Sequence, residues 1–149
     1  MAEVWAITGG SGHVGQVFTA RLVEEGHTVR LLDTDSPPRA IAGTEFVRGS
    51  VTEPADVRRL MRGADIVVHL AGAGMSGRAM LDRDLCYGVN VGGARTVVQC
   101  AQEACEGHSA PMRLLHMSSC ERARSEPRQS RAATSDMQPH AETMLHTRR

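Results

Sequence analysis

Lysine is absent from this chain of 149 residues, so all 17 of its strongly basic side chains are arginines. Chemistry that needs a titratable ammonium group is therefore excluded within this polypeptide. Aromatic residues make up 3% of the chain, which is too few for a surface that stacks single-stranded nucleic acid. Because 17 acidic residues balance the arginines, the formal net charge is zero. This balance gives no electrostatic footprint for nucleic acid or an acidic membrane.

Sequence features of export, membrane insertion and metal binding are also missing. The chain has no run of about 18 apolar residues and no basic segment followed by an apolar leader, so we expect a cytoplasmic protein that is not membrane-bound. Its four cysteines, at positions 86, 100, 105 and 120, form no C-x-x-C pair and no zinc-knuckle spacing with the histidines. We therefore expect reduced thiols and no metal site.

A glycine-rich segment follows the first apolar run. Residues 4–7 lead directly into residues 8–15, which read Thr-Gly-Gly-Ser-Gly-His-Val-Gly. In such a turn Gly9 permits the tight bend, Gly12 lets backbone N–H groups approach a pyrophosphate, and Gly15 lets the next helix pack close to the sheet. The segment predicts a dinucleotide site with the pyrophosphate at a helix N-terminus.

An acidic residue ends the second predicted strand, residues 28–32. Asp33 is placed there to accept hydrogen bonds from the ribose hydroxyls of the adenosine. The same charge would repel a 2′-phosphate, and neither Arg30 nor Arg39 is placed as an obvious phosphate ligand. We therefore predict NAD as the cofactor in preference to NADP. The alternative is that Asp33 only forms a turn beside Thr34.

Strands and helices alternate along the first 118 residues. We predict strands at 4–7, 28–32, 44–48, 64–70 and 112–118. Helices are predicted at 14–25, at 53–62 with Thr52 as N-cap, and along 82–106. This alternation predicts an α/β fold, a doubly wound, Rossmann-like parallel sheet of order 3-2-1-4-5 with helices on both faces. Residues 1–120 would form this domain.

Several motifs, in order along residues 4 to about 120, resemble those of the extended short-chain dehydrogenase/reductases, which include NAD-dependent epimerases and dehydratases. The glycine segment matches T-G-x-x-G-x-x-G, and Asp33 ends the second strand. Residues 49–53 are similar to G-D-h-x-D and residues 69–72 to H-x-A-[AG]. Residues 90–93 are similar to N-V-x-G, and residues 116–119 to the strand that ends in the catalytic Ser or Thr.

The resemblance implies three groups of cofactor-binding residues. One group surrounds the pyrophosphate: Gly9, Gly12, His13, Val14 and Gly15. A second holds the adenosine: Asp33, Thr34, Ser50 and Val51. The third lies near the nicotinamide ribose: Leu70, Ala71, Gly72, Asn90 and Ser118. Ser50 stands where the family has an Asp that accepts from the adenine amino group, a role a hydroxyl fills in part. A structural role remains the alternative for His13 and His69.

The family's catalytic residues are a Tyr, a Lys four residues later, and a Ser or Thr. Ser119 matches the Ser, whereas the single tyrosine, Tyr87, lies in another region. Residues 139–145 are similar to P-Y-x-x-[ST]-K-L, but His140 replaces the Tyr and Met144 replaces the Lys. A thioether cannot tune an acid or base by charge, whereas an imidazole can move a proton. The resemblance thus implies Ser119 and His140 as catalytic residues.

Two alternatives remain open for the end of the chain and for the function. Residues 121–149 form either this degenerate active-site helix or a poorly ordered tail, because they lack Val, Ile, Phe and Trp. The protein is either an NAD-dependent enzyme acting on a nucleotide sugar or similar hydroxyl or ketone, or a non-catalytic remnant serving as sensor or partner subunit. Because the family dimerises through helices, we also predict a homodimer that uses apolar positions of residues 82–106: Val89, Val97, Val98 and Ala101.

Overall fold

The computed structural model describes residues 1–74, 82–106 and 112–118. These residues lie within one compact unit, Met1–Ser118. Five strands are present: β1 (Val4–Thr8), β2 (Thr28–Asp33), β3 (Thr44–Arg48), β4 (Ile66–His69) and β5 (Arg113–His116). The helical elements are α1 (His13–Glu24), α2 (Pro54–Met61), α3 (Arg83–Tyr87), a π-helical turn (Gly88–Gly93) and α4 (Ala94–Glu106). Over this described part, no helix is both long and apolar enough to cross a membrane.

The five strands form one parallel sheet in the order β3-β2-β1-β4-β5. This order confirms the predicted topology. The central strand β1 pairs with β2 through Ile7 opposite Leu31 and with β4 through Ile7 opposite Val68. Because all strands run in the same direction, the loops at their carboxyl ends meet at one edge of the sheet, where ligands bind in doubly wound folds.

The sheet is covered on both faces, as predicted. On one face Ala6, Leu32 and Val67 pack with apolar side chains of α2 and α4, among them Leu60 and Val97. On the other face the strand residues Ile7, Leu31 and Val68 pack against Leu22 of α1. Strand β4 is buried along its whole length. Two apolar layers therefore hold the strand ends in fixed positions relative to one another.

The predicted helices α1 and α2 are present, but the predicted cap of α2 was wrong. Helix α1 turns Gly15, Thr19 and Leu22 toward the sheet, whereas Val14 and Val17 are exposed. Gly15 and Thr19 are small, which lets the helix pack close to the sheet. Helix α2 begins after Glu53 without a side-chain cap, and the predicted cap, Thr52, instead bonds to Ser50.

The predicted helical stretch 82–106 is present, but its middle is a π-helical turn. At the end of this turn Gly93 lies against Val51, and a Cβ at position 93 would come within 2.6 Å of the Val51 Cγ2 atom. Two of the four positions predicted for a dimer contact, Val97 and Ala101, are buried in the chain's own core. They are therefore not available to a partner, because packing of α4 on its own sheet uses them.

Candidate functional site

A cavity of about 650 Å³ opens at the carboxyl edge of the sheet. The glycine turn between β1 and α1 forms its floor, and the loops after β2, β3 and β4 form its walls. The cavity is lined by Gly9, Ser11, Gly12, Leu32, Asp33, Thr34, Asp35, Ser36, Pro38, Gly49, Ser50, Val51, Leu70, Ala71, Gly72, Ala73, Leu85 and Val89. Leu85 belongs to α3 and Val89 to the π-helical turn, whereas the other lining residues lie at or after the carboxyl ends of β1 to β4.

Gly9 and Gly15 of the glycine turn have no room for a Cβ atom. Gly9 has a φ of 70°, and a Cβ there would lie 2.7 Å from the Ala71 backbone nitrogen. A Cβ at Gly15 would lie 2.5 Å from the Gly9 carbonyl oxygen. The Gly9 N–H donates to the Leu32 carbonyl at 2.9 Å. The turn is thus wedged between the ends of β2 and β4, and only glycine permits this approach.

Helix α1 begins at the cavity. Its N-cap, Gly12, has an extended backbone and provides no side-chain cap. The N–H groups of a first helical turn have no partner within the helix, and together with the helix dipole they favour a negative group at this position. Gly12 itself lines the cavity. The arrangement fits a phosphate at the cavity floor.

Asp33 ties the loop after β2 to the glycine turn. Its Oδ2 atom accepts from the Ser11 N–H at 3.0 Å, and its Oδ1 atom accepts from the Thr34 N–H at 2.8 Å. The Ser11 hydroxyl donates to the Asp35 carbonyl at 2.6 Å. Oδ1 also accepts from the Asp35 N–H at 3.5 Å, whereas Oδ2 keeps a second lone pair. The half-buried side chain can therefore still accept from a ligand hydroxyl through Oδ2. The turn-forming role and the ligand-facing position therefore coexist in Asp33.

The loop after β3 is held by its own hydrogen bonds. The Gly49 N–H donates to the Asp33 carbonyl at 3.0 Å, and the Ser50 N–H donates to Asp56 Oδ2 at 3.0 Å. The Ser50 hydroxyl accepts from the Thr52 N–H at 3.2 Å and lies 2.8 Å from the Thr52 hydroxyl. Ser50 and the neighbouring Val51 line the cavity, but the Ser50 hydroxyl is engaged within its own loop.

A buried hydroxyl–imidazole pair joins β1 to β4. The Thr8 hydroxyl lies 2.7 Å from His69 Nδ1 and accepts from the Ala71 N–H at 3.2 Å. The hydroxyl and the ring nitrogen are thus paired with each other in the interior. The His69 ring stacks on His116 of β5, with centroids 5.0 Å apart. Burial, and secondarily the charge of His116, lowers the pKa of His69 to about 4.

Asn90 holds the loop after β4, which forms one wall of the cavity. From the π-helical turn its Oδ1 atom accepts from the Ala73 N–H at 2.7 Å, and its Nδ2 atom donates to the Ala73 carbonyl at 3.0 Å. This pair of bonds fixes the residues that follow β4. Asn90 therefore shapes the cavity through Ala73 and is not itself among the lining residues.

The structure brings nine of the predicted cofactor-binding residues together around the cavity: Gly9, Gly12, Asp33, Thr34, Ser50, Val51, Leu70, Ala71 and Gly72. Five others do not line it: His13, Val14, Gly15, Asn90 and Ser118. Ser119 and His140 lie outside the described residues. Within the described ranges, no group of three metal-ligating side chains is present.

Sequence reasoning missed several lining residues. Ser11 and Asp35 are joined by a hydrogen bond, and Ser36 and Pro38 continue the same loop. Their place in the sequence could have predicted that they line the cavity, because they lie in the turn after β1 and the loop after β2, and these two strands are neighbours in the sheet. Leu85 and Val89 had no such signal, since their approach depends on how α3 and the π-helical turn fold back.

The sheet order and the glycine turn at its carboxyl edge define a Rossmann-type, doubly wound α/β domain. Residues 5–144 match the NAD dependent epimerase/dehydratase family. The chain therefore belongs to this family, and the resemblance predicted from its motifs is confirmed.

Three relatives illustrate the match. Short-chain dehydrogenase/reductase family 42E member 1 of Macaca fascicularis is 37% identical over 119 residues, which are 78% of this chain and 29% of the relative. UDP-glucose 4-epimerase of Streptomyces lividans is 30% identical over 110 residues, 70% of this chain and 33% of that protein. A short-chain dehydrogenase/reductase superfamily protein from Agrobacterium tumefaciens, crystallised with bound NAD, has a TM-score of 0.59 and 32% identity over 68% of this chain and 29% of its own. The chain spans about a third or less of each of these proteins.

The low pKa of His69 predicts a stability that depends on pH. The unfolded chain, with an ordinary histidine pKa of 6.5, binds a proton that the folded chain does not bind until about pH 4. The stabilisation is therefore complete above pH 6.5 and is lost as the pH falls toward 4. At about 1.4 kcal/mol per pKa unit, the free energy of unfolding should fall by roughly 3 kcal/mol across this window.

Urea unfolding at several pH values between 4 and 7 measures this change. His69→Asn is the matched control, because its amide oxygen can still accept from Thr8 but does not titrate. The variant should lose most of the pH dependence that wild type shows in this range. Equal slopes for the two proteins would contradict the assignment to His69.

Proposed function

We propose that this chain binds NAD in the cavity at the carboxyl edge of the sheet. The observation that carries the proposal is the placement of Gly9, Gly12 and Asp33 around one cavity, with a helix N-terminus at its floor. This arrangement fits a pyrophosphate at the glycine turn and a ribose diol at the carboxylate. The Agrobacterium tumefaciens relative with bound NAD supports the same cofactor.

The residues present fit the parts of a dinucleotide. The glycine turn and α1 would hold the pyrophosphate, and Asp33 and Thr34 the adenosine ribose. Leu70, Ala71 and Gly72 would lie along the nicotinamide ribose, where the hydrogen bond from the Ala71 N–H to the Thr8 hydroxyl keeps the wall in place. When bound, NAD supplies a hydride acceptor. The chain's own residues bind, orient and partly desolvate it.

Charge around Asp33 favours NAD over NADP. Asp33 is half-buried and repels a 2′-phosphate. Arg30 is committed elsewhere, since its guanidinium bonds to Glu45 and to the carbonyls of Leu60 and Arg62. Arg48 contacts the loop after β2, where its Nε donates to the Thr34 carbonyl at 3.2 Å. That cation is a point of attraction for a phosphate once Asp33 is removed.

Substitution at position 33 tests the cofactor and the preference together. Asp33→Ala should weaken NAD binding by roughly 10- to 150-fold, the worth of a hydrogen bond to a charged group. NADP binding should fall much less or improve, because the repulsion is gone and Arg48 remains. Isothermal titration calorimetry of wild type and variant with both dinucleotides measures the four constants.

The double variant Asp33→Ala/Arg48→Ala is the matched control for this experiment. It should lose the NADP tolerance gained by Asp33→Ala, while its NAD affinity stays close to that of the single variant. Wild-type binding of NADP as tight as NAD would contradict the preference. Absence of binding to either dinucleotide would contradict the proposed function.

We further propose that activity, where present, is oxidoreduction of a nucleotide sugar or a similar hydroxyl or ketone. Ser119 would orient the substrate oxygen and His140 would move the proton. The competing proposal is a non-catalytic, cofactor-binding protein, which is supported by the lack of lysine and by Met144 at the position of the family's Lys.

A single-turnover assay that follows NADH absorbance separates these proposals. An enzyme should form NADH with a panel of nucleotide sugars and secondary alcohols, and the rate should fall by at least about 100-fold in Ser119→Ala and in His140→Ala. His146→Ala, which removes a histidine that belongs to none of the family's motifs, is the matched control and should retain the rate. NAD binding without cofactor reduction for any substrate would support the non-catalytic alternative.

We also propose a homodimer through the helical stretch 82–106. Tyr87, Val91 and Val98 are exposed along it at near-helical spacing, although Val97 and Ala101 are buried in the chain's own core. Such a stripe would bury against its symmetry mate in a two-fold contact. Light scattering at micromolar concentration should therefore show a species of twice the 16.0 kDa chain mass. A 16.0 kDa species alone would contradict the dimer.

A further inference from the structure

We propose that the base end of the cavity, defined by Gly49, Ser50 and Val51, does not read the 6-amino group of adenine. A dinucleotide whose purine lacks that amino group would then bind about as tightly as NAD. This inference rests on the proposed function, since it concerns the cofactor of the same cavity. A carboxylate at position 50 would accept from the adenine amino group and so select adenine over other purines. We infer that Ser50 does not make this selection.

The sheet order fixes where the base must lie. The pyrophosphate belongs at the end of β1 and the ribose at Asp33, the end of β2. Strand β3 is the next and outermost strand on this side, so the base extends toward the loop that follows it. That loop is joined directly to the ribose end, because the Gly49 N–H donates to the Asp33 carbonyl at 3.0 Å.

Of the three lining residues in the loop after β3, Ser50 is the one with a polar side chain. Its hydroxyl accepts from the Thr52 N–H and shares a hydrogen with the Thr52 hydroxyl at 2.8 Å. The Ser50 N–H is also engaged, with Asp56 Oδ2. At most one lone pair of an uncharged oxygen remains for a ligand, so the serine offers a purine amino group little more than water does.

The other polar side chains of the lining come from the glycine turn and from the end of β2 with its following loop: Ser11, Asp33, Thr34, Asp35 and Ser36. The two bonds from Ser11, to Asp33 Oδ2 and to the Asp35 carbonyl, tie this loop to the glycine turn. Asp56 does not line the cavity, and its oxygens bind the Ser50 N–H and the Arg59 guanidinium. A carboxylate near the base is therefore already committed to the protein.

Besides Ser50, the base end of the cavity is formed by Gly49 and by the apolar side chain of Val51. Val51 is buried and held from behind by Gly93, whose missing side chain lets the valine approach the π-helical turn. Apolar contact stabilises the faces of any purine to a similar degree. A site rejects an analogue strongly only when it carries a polar group that the analogue leaves without a partner. Ser50 leaves no such group at this end.

Calorimetric titration of the full chain with two dinucleotides tests the inference. One is NAD, and the other is its analogue with unsubstituted purine in place of adenine, which keeps the ring nitrogens and lacks only the amino group. Wild type should bind the two with dissociation constants less than fivefold apart. Ser50→Asp supplies a charged acceptor and should favour NAD by roughly 10- to 150-fold.

Two further variants guard against effects on the fold. Ser50→Asn offers a neutral acceptor without repelling Asp56, and it should favour NAD by roughly two- to tenfold more than wild type does. Ser50→Ala removes the hydroxyl and should keep the wild-type ratio. Thermal unfolding of each variant establishes that the domain is intact.

The outcomes separate the two proposals. A wild-type preference for NAD of fivefold or more would overturn this inference and leave NAD binding intact. An unchanged ratio in folded Ser50→Asp and Ser50→Asn would also overturn it, because the base would then lie elsewhere. Failure of wild type to bind either dinucleotide would instead overturn the proposed function on which the inference rests.

Discussion

The contact between the glycine turn and the residues after β4 is the constraint on which the cavity depends. Gly9 lies so close to Ala71 that a Cβ would come within 2.7 Å of its backbone nitrogen. Thr8, one residue earlier, accepts a hydrogen bond from the same N–H and forms a second hydrogen bond with buried His69. The central strands are thus joined at their carboxyl ends by backbone contact and a buried polar pair. The cavity floor cannot widen without breaking both.

Two further links extend this junction outward. Asp33 accepts from the Ser11 N–H and so fixes the end of β2 to the glycine turn, while Asn90 clasps Ala73 by both its amide atoms. The walls of the cavity are therefore held by hydrogen bonds within the protein before any ligand is present. Such preorganisation lowers the entropy that a bound dinucleotide would otherwise lose in ordering loops. It also explains why several site residues serve the fold and the ligand at once.

The parts of the fold that sequence reasoning predicted are those that local patterns encode. Strand β3 is apparent from residues 44–48 alone, and the glycine turn from its place between a strand and a helix. The buried face of α1 is not apparent from apolar spacing alone, because close packing selects Gly15 and Thr19 there instead of large apolar residues. The π-helical turn and the clasp by Asn90 could not be predicted, since both depend on contacts with residues distant in sequence.

The absence of lysine does not affect the residues that line the cavity. Every described residue that lines the cavity comes from the first 89 positions, and none of their interactions requires an ammonium group. The positions that resemble the family's acid–base machinery, Ser119, His140 and Met144, all come later. The residues that line the cavity are therefore separate in sequence from the positions that resemble the family's acid–base machinery. This separation is possible because a doubly wound sheet assembles its ligand site from the ends of independent strands.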